Sequence, residues 1–228
     1  MTNTSKTTFI VSAAKKIIST AAILAVANIA AFSAAIPIFN TGVNNSGGLL
    51  GNTTIDPHYA LISAPSPYTA AYTGTGTDTL GPNPYLDDGP NSRWINPSGW
   101  MGEWLPAGNY LYRTTFSLSG LIPSSASLSL NIASDNSCKV FLNGVDTGIM
   151  TSATGFSSFA AFSINSGFLA GLNTLDFALN NAVDPSVGNF NPTGLRVQLT
   201  GTANVVPEPT SVALIGLGGM MLFALRRK

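Results

Sequence analysis

The chain has 228 residues, with ten Lys and Arg against ten Asp and Glu, so its formal net charge is zero. Charged residues make up only 9% of the sequence and apolar residues 45%, with one histidine and one cysteine. A single cysteine excludes an internal disulfide. The lone His and Cys also argue against zinc, which takes several such ligands at short spacing.

The N-terminal segment has the pattern of a targeting signal. Lys6, Lys15 and Lys16 precede an apolar stretch from Ile17 to Ala31, and the small residues Ser33-Ala34-Ala35 follow. A basic start, an apolar segment and a small-residue cleavage site are typical of a secretory signal peptide. We therefore predict a helical signal peptide over residues 1–35, cut near residues 33–35.

The charge of the central segment differs from that of the whole chain. Between Ile36 and Val206 there are four cations and nine anions, a net charge of −5, because the basic residues concentrate at the two ends. An acidic, charge-poor body has no basic face for phosphates. Nucleic acid is accordingly not an expected partner.

Alternating apolar residues in the body predict strands. Tyr110, Tyr112, Thr114 and Phe116 alternate with more polar neighbours, as do Leu128, Leu130 and Ile132. Period-2 alternation is typical of half-buried β-strands. Further strand candidates are Tyr59 to Ser63, Lys139 to Leu142, Phe159 to Ile164, Thr174 to Leu179 and Leu195 to Thr200.

The breaks between these runs indicate the fold class. Asn143-Gly144 predicts a tight hairpin turn, and no window of the body shows a 3.6-residue stripe. Short strands separated by Gly, Asn, Ser and Pro favour an all-β antiparallel β-sandwich or jelly roll. We place this domain at residues 36–200, with its longest loop at Gly74 to Pro90 and a linker at residues 201–206.

Two clusters in the body are candidates for binding. Trp94, Trp100 and Trp104 fall within eleven residues, beside Arg93. They form either a carbohydrate-binding platform or an aromatic plug that caps the sandwich, and the plug is favoured for Trp94. Asp135-Asn136 either contacts a ligand or calcium, or caps a turn with its own side chains, which is the favoured interpretation.

The residues give little basis for catalysis. His58 is the only histidine, so a Ser-His-Asp triad would have to use it, and no serine has a nucleophile-elbow context. Paired carboxyls of a glycoside hydrolase are an alternative, but most acids here lie in turn contexts. We predict no enzyme, no cofactor and no metal site, with a structural calcium ion as an alternative, and a buried, inert Cys138.

The C-terminal segment is a rigid strap followed by an apolar run. Pro207 and Pro209 hold the strap extended. From Thr210 to Leu225 no residue is charged, and these 16 residues would form a helix of roughly 24 Å, shorter than the roughly 30 Å hydrocarbon core. We predict a short transmembrane helix over residues 211–225, held with its basic end in the cytoplasm. A plain membrane anchor and a core helix are the alternatives.

This tail, residues 207–228, resembles the PEP-CTERM sorting tail of Gram-negative bacteria that produce exopolysaccharide. The likeness implies recognition by an exosortase after export across the inner membrane. It also implies transient membrane anchoring and delivery to the cell surface or extracellular matrix. The residues that carry the likeness are Val206, Pro207, Glu208, Pro209, Arg226, Arg227 and Lys228.

The body resembles galactose-binding-like jelly rolls, including the sugar-binding domains of some glycosidases. The likeness implies a lectin-like domain that binds extracellular polysaccharide, with candidate contacts at Trp100, Trp104, Trp94, Arg93, Asp135 and Asn136. A purely structural matrix protein and a surface glycoside hydrolase are the alternatives. The motifs that carry the likeness, in order, are Phe39 to Val43, Asp56 to Tyr59, Ser92 to Ile95, Tyr110 to Phe116, Ala133 to Asn136, Val140 to Gly144, Gly171 to Leu175 and Asn191 to Leu195.

Overall fold

A computed structural model describes residues 32–65, 67–75, 85–186, 188–207 and 216. The chain divides into two compact units, one of Met1–Phe32 with Val205–Lys228 and one of Ser33–Asn204. In the described part of the first unit, the Val205 amide donates to the Phe32 carbonyl oxygen at 2.8 Å. The second unit is all-β apart from a 3-10 turn at Pro123–Ser125.

Thirteen strands make up the described part of the second unit. Every pairing between them is antiparallel, and most strands pair with a strand from a distant part of the chain. The strands are β1 (Ser33–Ala35), β2 (Ala60–Ser63), β3 (Tyr72–Gly74), β4 (Trp94–Asn96), β5 (Leu105–Pro106), β6 (Gly108–Ser117), β7 (Ser127–Asp135), β8 (Ser137–Leu142), β9 (Val145–Met150), β10 (Ala160–Ile164), β11 (Leu172–Asn181), β12 (Phe190–Asn191) and β13 (Gly194–Asn204).

Two antiparallel sheets form the predicted sandwich. The first has the order β10-β7-β13-β4-β3, with β1 also paired to β13, and the second has the order β2-β6-β11-β8-β9. A third, two-stranded sheet joins β12 to β5. The all-β antiparallel sandwich predicted from the alternation is confirmed. The predicted turn is also present, since Asn143 and Gly144 both have positive φ between β8 and β9.

The core lies between the inner faces of the two sheets. Tyr110, Tyr112 and Phe177 from one sheet, and Leu128 and Val197 from the other, are almost completely buried. Along β11 the inward residues run from Asn173 to Asn181 at every second position, because β-strand side chains alternate between faces. Each end of β11 thus turns a buried asparagine toward the inside of the sandwich.

The predicted domain boundaries need one correction. Residues 201–204, assigned to a linker, are the end of β13, since Thr202, Ala203 and Asn204 pair with β1. Ala203 is buried in the core, which is why the strand continues to this point. Residues 33–35, at the predicted signal cleavage site, form β1, while residues 1–31 of the predicted signal helix lie outside the described residues.

The apolar tail largely lies outside the described residues as well. Of the predicted span 211–225, only Gly216 is described. Among the residues that are described, no helix has the length and apolar character needed to cross a membrane.

Candidate functional site

The segment after β4 is held by Asn96, a fully buried residue at the end of that strand. Its Oδ1 accepts hydrogen bonds from the amides of Ser98 and Gly99, and its Nδ2 donates to the Trp100 carbonyl at 2.9 Å. Gly99 has a φ of 81°, a conformation that glycine adopts without strain. The backbone at Trp100 is therefore fixed from inside the protein.

Met101 anchors the next turn. Its side chain is fully buried and packs so closely on Gly194 that a Cβ there would overlap it. The Glu103 amide donates to the Trp100 carbonyl at 3.1 Å and closes the turn. Because Met101 points inward, its neighbour Trp100 is left at the surface and is 45% exposed.

The two-stranded sheet of β5 and β12 carries a second and third aromatic ring. Phe190 pairs with Pro106, and Asn191 pairs with Leu105. Leu105 is fully buried, so Pro106 is the outward residue of β5, opposite Phe190, and Trp104 directly precedes this strand. Trp104 is 43% exposed and Phe190 44% exposed.

Asn181, at the end of β11, fixes this small sheet to the sandwich. Its Nδ2 lies 3.2 Å from the Leu105 oxygen, 3.1 Å from the Pro106 oxygen and 3.0 Å from the Asn191 oxygen. Asn181 is buried, so water has little access to its side chain. Its amide group therefore supplies the hydrogen-bond donor for these backbone carbonyls. The short strands thus have a rigid support although they are only two residues long.

Trp100, Trp104 and Phe190 together form what we call the aromatic surface. Within the described part of residues 33–204, they are the aromatic side chains classed as exposed. Sequence reasoning selected the two tryptophans and missed Phe190 and Asn181. Phe190 stands alone between two asparagines, and only its pairing with β5 brings it beside the strand that Trp104 precedes.

Trp94 and Arg93 do not contribute to this surface. Trp94 is fully buried in a second core cluster with Tyr85 and Met101, and its Nε1 donates to the Leu86 oxygen at 2.8 Å. Its ring meets that of Tyr85 edge to face at 5.1 Å. Arg93 donates to Asn52 Oδ1 and lies 3.5 Å from an Asp88 oxygen.

Asp135 is a buried carboxyl at the end of β7. It accepts a hydrogen bond from the Tyr85 hydroxyl, and its backbone oxygen accepts one from Thr193. Burial raises the pKa of Asp135 to about 7, although the Tyr85 hydrogen bond acts in the opposite direction. At 6% exposure the carboxyl is not accessible to a polysaccharide.

Asn136 connects the end of β7 to β12. Its Oδ1 accepts hydrogen bonds from the Ala182 amide at 2.7 Å and from Asn191 Nδ2 at 3.2 Å. Its backbone oxygen accepts one from Ser134. Of the six candidate residues, only Trp100 and Trp104 are therefore large aromatic side chains at the surface. Asn136 supports the strand beside them.

His58, Asp56 and Cys138 are each engaged or buried within the protein. His58 stacks on Phe39 with ring centroids 3.7 Å apart, and Asp56 accepts hydrogen bonds from three backbone amides, including that of Gly42. Cys138 is buried, as the sequence predicts, and burial raises the pKa of its thiol. The described residues contain no group of three or more His, Cys, Asp or Glu side chains arranged to hold a metal ion.

Comparison with known families identifies the tail. Residues 205–228 match the PEP-CTERM protein-sorting motif, so the chain carries this motif at its C-terminal end. Val206 and Pro207 of the motif are described and exposed. Glu208, Pro209, Arg226, Arg227 and Lys228 lie outside the described residues. No curated protein matches the chain.

Solved structures similar to this chain include carbohydrate-binding modules. The CBM35 from Paenibacillus barcinonensis is 15% identical over 62% of this chain and 96% of that chain, with a TM-score of 0.31. A family 35 module from Clostridium thermocellum is 12% identical over 64% and 87%, with a TM-score of 0.29. A family 29 module complexed with mannohexaose is 13% identical over 77% and 93%, with a TM-score of 0.34.

Proposed function

We propose that this chain is an exported, non-enzymatic protein of the cell surface or extracellular matrix, whose β-sandwich binds polysaccharide at the aromatic surface. The observation that carries the proposal is the position of Trp100, Trp104 and Phe190, the exposed aromatic residues of the described sandwich. An aromatic ring offers a flat, electron-rich face. Such a face packs against the C–H groups of a pyranose and needs no titratable group to do so.

The backbone around these rings supports a binding role because it is already ordered. Leu105 is buried beneath β5, Asn181 holds both short strands, and Asn96 fixes the turn before Trp100. Rings that are fixed before binding lose less conformational entropy when a ligand arrives. Asn189 and Glu103 lie beside Phe190 and Trp104 in the chain and supply polar groups for sugar hydroxyls.

The sorting motif supports the rest of the proposal. A signal peptide at residues 1–35 directs export across the inner membrane, and a helix at residues 211–225 holds the chain there until an exosortase reads Pro207-Glu208-Pro209. The basic residues Arg226, Arg227 and Lys228 keep the end of the helix in the cytoplasm. The processed protein then reaches the surface or the exopolysaccharide matrix with a galactose-binding-like jelly roll as its body.

Replacing Trp104 tests the binding proposal. The full chain, purified in a polyoxyethylene detergent that carries no sugar, is passed over a panel of insoluble polysaccharides. Trp104→Ala should weaken retention on the bound polymer by about tenfold or more, since buried aromatic anchors typically contribute above about 1.4 kcal/mol. Leu172→Ala is the matched control, because Leu172 is also a large exposed residue, at 66%, but lies at the other end of β11.

The outcomes of this test are distinct. Slow reaction of Cys138 with a thiol reagent verifies that each variant is folded, since this thiol is 1% exposed. If the folded parent chain is retained on no polymer, the protein is a structural matrix component and the binding proposal is wrong. If Leu172→Ala weakens retention as much as Trp104→Ala, the site lies elsewhere.

Replacing Glu208 tests the sorting proposal. In the native host, Glu208→Ala should leave the full-length chain in the membrane fraction, whereas the parent appears in a shorter form at the surface. Asp184→Ala is the control, because Asp184 is also an acid that precedes a proline, Pro185, but lies outside the motif. Unchanged processing of Glu208→Ala would mean that the tail is only an anchor.

A further inference from the structure

The cations of the body limit which polysaccharide can bind. Between residues 36 and 206 the sequence contains four, Arg93, Arg113, Lys139 and Arg196, and all four are described. A polymer that carries carboxylate, sulfate or phosphate groups is normally held by arginine or lysine side chains. The availability of these four side chains therefore decides whether an acidic polymer can be recognised.

Arg113 is paired within its own sheet. Its Nε and one terminal nitrogen donate to the two carboxylate oxygens of Asp176 at 2.6 and 2.7 Å. The hydrogen bond to Asp176 is also the main reason why the pKa of Arg113 is raised. A bidentate pair of this kind uses two of the N–H donors that Arg113 would otherwise offer to an acidic sugar.

Arg196 and Arg93 are occupied as well. Arg196 is 1% exposed, donates to Ser92 Oγ at 2.9 Å and to the Asp87 backbone oxygen, and lies 5.1 Å from the centre of the Phe159 ring. Arg93 is held by Asn52 and lies near Asp88. Both guanidiniums are engaged by residues outside the aromatic surface.

Lys139 is the remaining cation, and it lies on a different face. It pairs with Ala178 of β11, and both are on the outer side of the sheet, whereas Asn181 points to the inner side and carries the β5–β12 sheet. Ala178 and Asn181 are three residues apart along β11, which is about 10 Å. Of the four described cations, three are thus held by other groups of the protein, and Lys139 lies on the outer face of the sheet.

The charges close to the aromatic surface are negative. Glu103 directly precedes Trp104, and Asp184 is half-buried in the connection from β11 to β12, where it accepts hydrogen bonds from Ser186. Burial and, secondly, the charge of Glu103 raise the pKa of Tyr68. With a net charge of −5 over the body, the local field repels anions.

We propose that the aromatic surface selects uncharged polysaccharides and rejects acidic ones, because its rings provide contact area while the nearby charges are carboxylates without a free cation. This inference rests on the proposed binding function and specifies its ligand class. Binding that depends on ring contact is also expected to be insensitive to salt, since charge interactions are screened beyond the Debye length.

The test compares four polymers with the same full chain in the sugar-free detergent. A neutral glucan and a neutral galactomannan represent the expected class, polygalacturonate carries carboxylates, and chitosan carries amines. Retention is measured at about 0.1 M and about 1 M sodium chloride, where the Debye length falls from about 10 Å to about 3 Å. We expect retention on a neutral polymer at least about tenfold above that on polygalacturonate, with less than a twofold change between the two salt concentrations.

Each other outcome overturns the inference in a recognisable way. Preferential, salt-sensitive retention on polygalacturonate means that a cation takes part, and Lys139→Ala then identifies whether it is Lys139. Preferential retention on chitosan means that Glu103 and Asp184 attract amines, so the ligand class is cationic. Retention on either charged polymer still leaves polysaccharide binding in place, whereas a folded chain retained on none of the four contradicts the proposed function itself.

Discussion

The two ends of β11 are built alike and display different surfaces. At the start of the strand, the buried Asn173 accepts a hydrogen bond from the Leu169 amide at 2.8 Å and donates to the Leu169 oxygen at 2.8 Å. At the end, the buried Asn181 donates to the carbonyls of β5 and β12. The two asparagines share the inward face and are eight residues apart, which is about 27 Å.

The exposed side chains around them differ in kind. Near Asn173 the surface carries the aliphatic residues Val145, Leu169 and Leu172, at 70%, 55% and 66% exposure. Near Asn181 it carries Trp104 and Phe190. Single exposed aliphatic residues are common on soluble proteins and require no functional explanation. The scaffold alone therefore does not mark a site, since both ends of β11 have a buried asparagine and only one end presents aromatic rings.

Replacing each of the two asparagines should separate support of the fold from binding of the ligand. We expect these two changes to have the largest effects on stability. Asn181→Ala and Asn173→Ala each leave partly buried carbonyls without a donor, so each should lower the free energy of unfolding by on the order of 1–3 kcal/mol. Only Asn181→Ala should also weaken polysaccharide retention, by about tenfold or more, because it releases β5 and β12. Urea unfolding of residues 32–207 gives the first quantity, and retention of the full chain gives the second.

The comparison fails if both variants lose retention equally. That result would mean that binding responds to overall stability and not to the position of the aromatic surface. Measuring retention at a temperature where both variants remain folded, as judged by slow Cys138 labelling, removes this ambiguity.

The free energy of unfolding should depend on pH through Asp135, at the end of the sandwich that carries the aromatic surface. Its folded pKa of about 7 lies above the usual range because of burial, so between about pH 4 and pH 7 the folded chain holds a proton that the unfolded chain has released. The stabilising contribution is complete below about pH 4 and is lost as the pH rises through 7. We expect the free energy of unfolding to fall by on the order of 1 kcal/mol per pH unit from pH 5 to pH 7.

Asp135→Asn isolates this contribution. The amide keeps an oxygen for the Tyr85 hydroxyl and does not titrate, so its stability should vary less between pH 5 and pH 7. Asp56 also has a pKa raised by burial and contributes with the same sign, which is why the comparison must be made with the variant. An identical pH dependence in Asp135→Asn would assign the effect to Asp56.

Long strands were predictable from the sequence because their alternation extends over many residues. β6, β7 and β11 have nine or ten residues each, and most of their inward positions are apolar. The strands β4, β5 and β12 have two or three residues, too few to establish a period. They exist because of distant partners, such as Phe190 opposite Pro106.

The same limit applies to the site. Trp100 and Trp104 were identifiable from the sequence as part of an aromatic cluster in a segment broken by Gly and Pro. The sequence also indicated that such a cluster is either a binding platform or a plug. In the structure Trp94 is buried, which fits a plug, whereas Trp100 and Trp104 are exposed, which fits a platform. Asn181 carried no signal, because an asparagine at a strand end is usually a turn former, and its three carbonyl partners come from segments 10 and more than 70 residues away.

Phe190 should contribute less than Trp104, because its ring is smaller and stands on the other strand of the pair. We expect Phe190→Ala to weaken retention by about three- to tenfold, which corresponds to roughly 0.6–1.4 kcal/mol. Leu169→Ala is the control at the other end of β11, with an exposed side chain of 55%. Full retention in Phe190→Ala would restrict the site to the tryptophans.

The smallest effect is expected for Val145→Thr, which tests the aliphatic end without altering its shape. Val145 is 70% exposed at the start of β9, the edge strand of its sheet. Thr has the same branched shape and suits a strand, so it replaces a methyl group by a hydroxyl at a position already in water. The free energy of unfolding should change by less than about 0.5 kcal/mol, and retention by less than about twofold. Because only the apolar character of the side chain is removed, a clear loss of retention would place a ligand contact at the end of β11 where no aromatic ring is exposed.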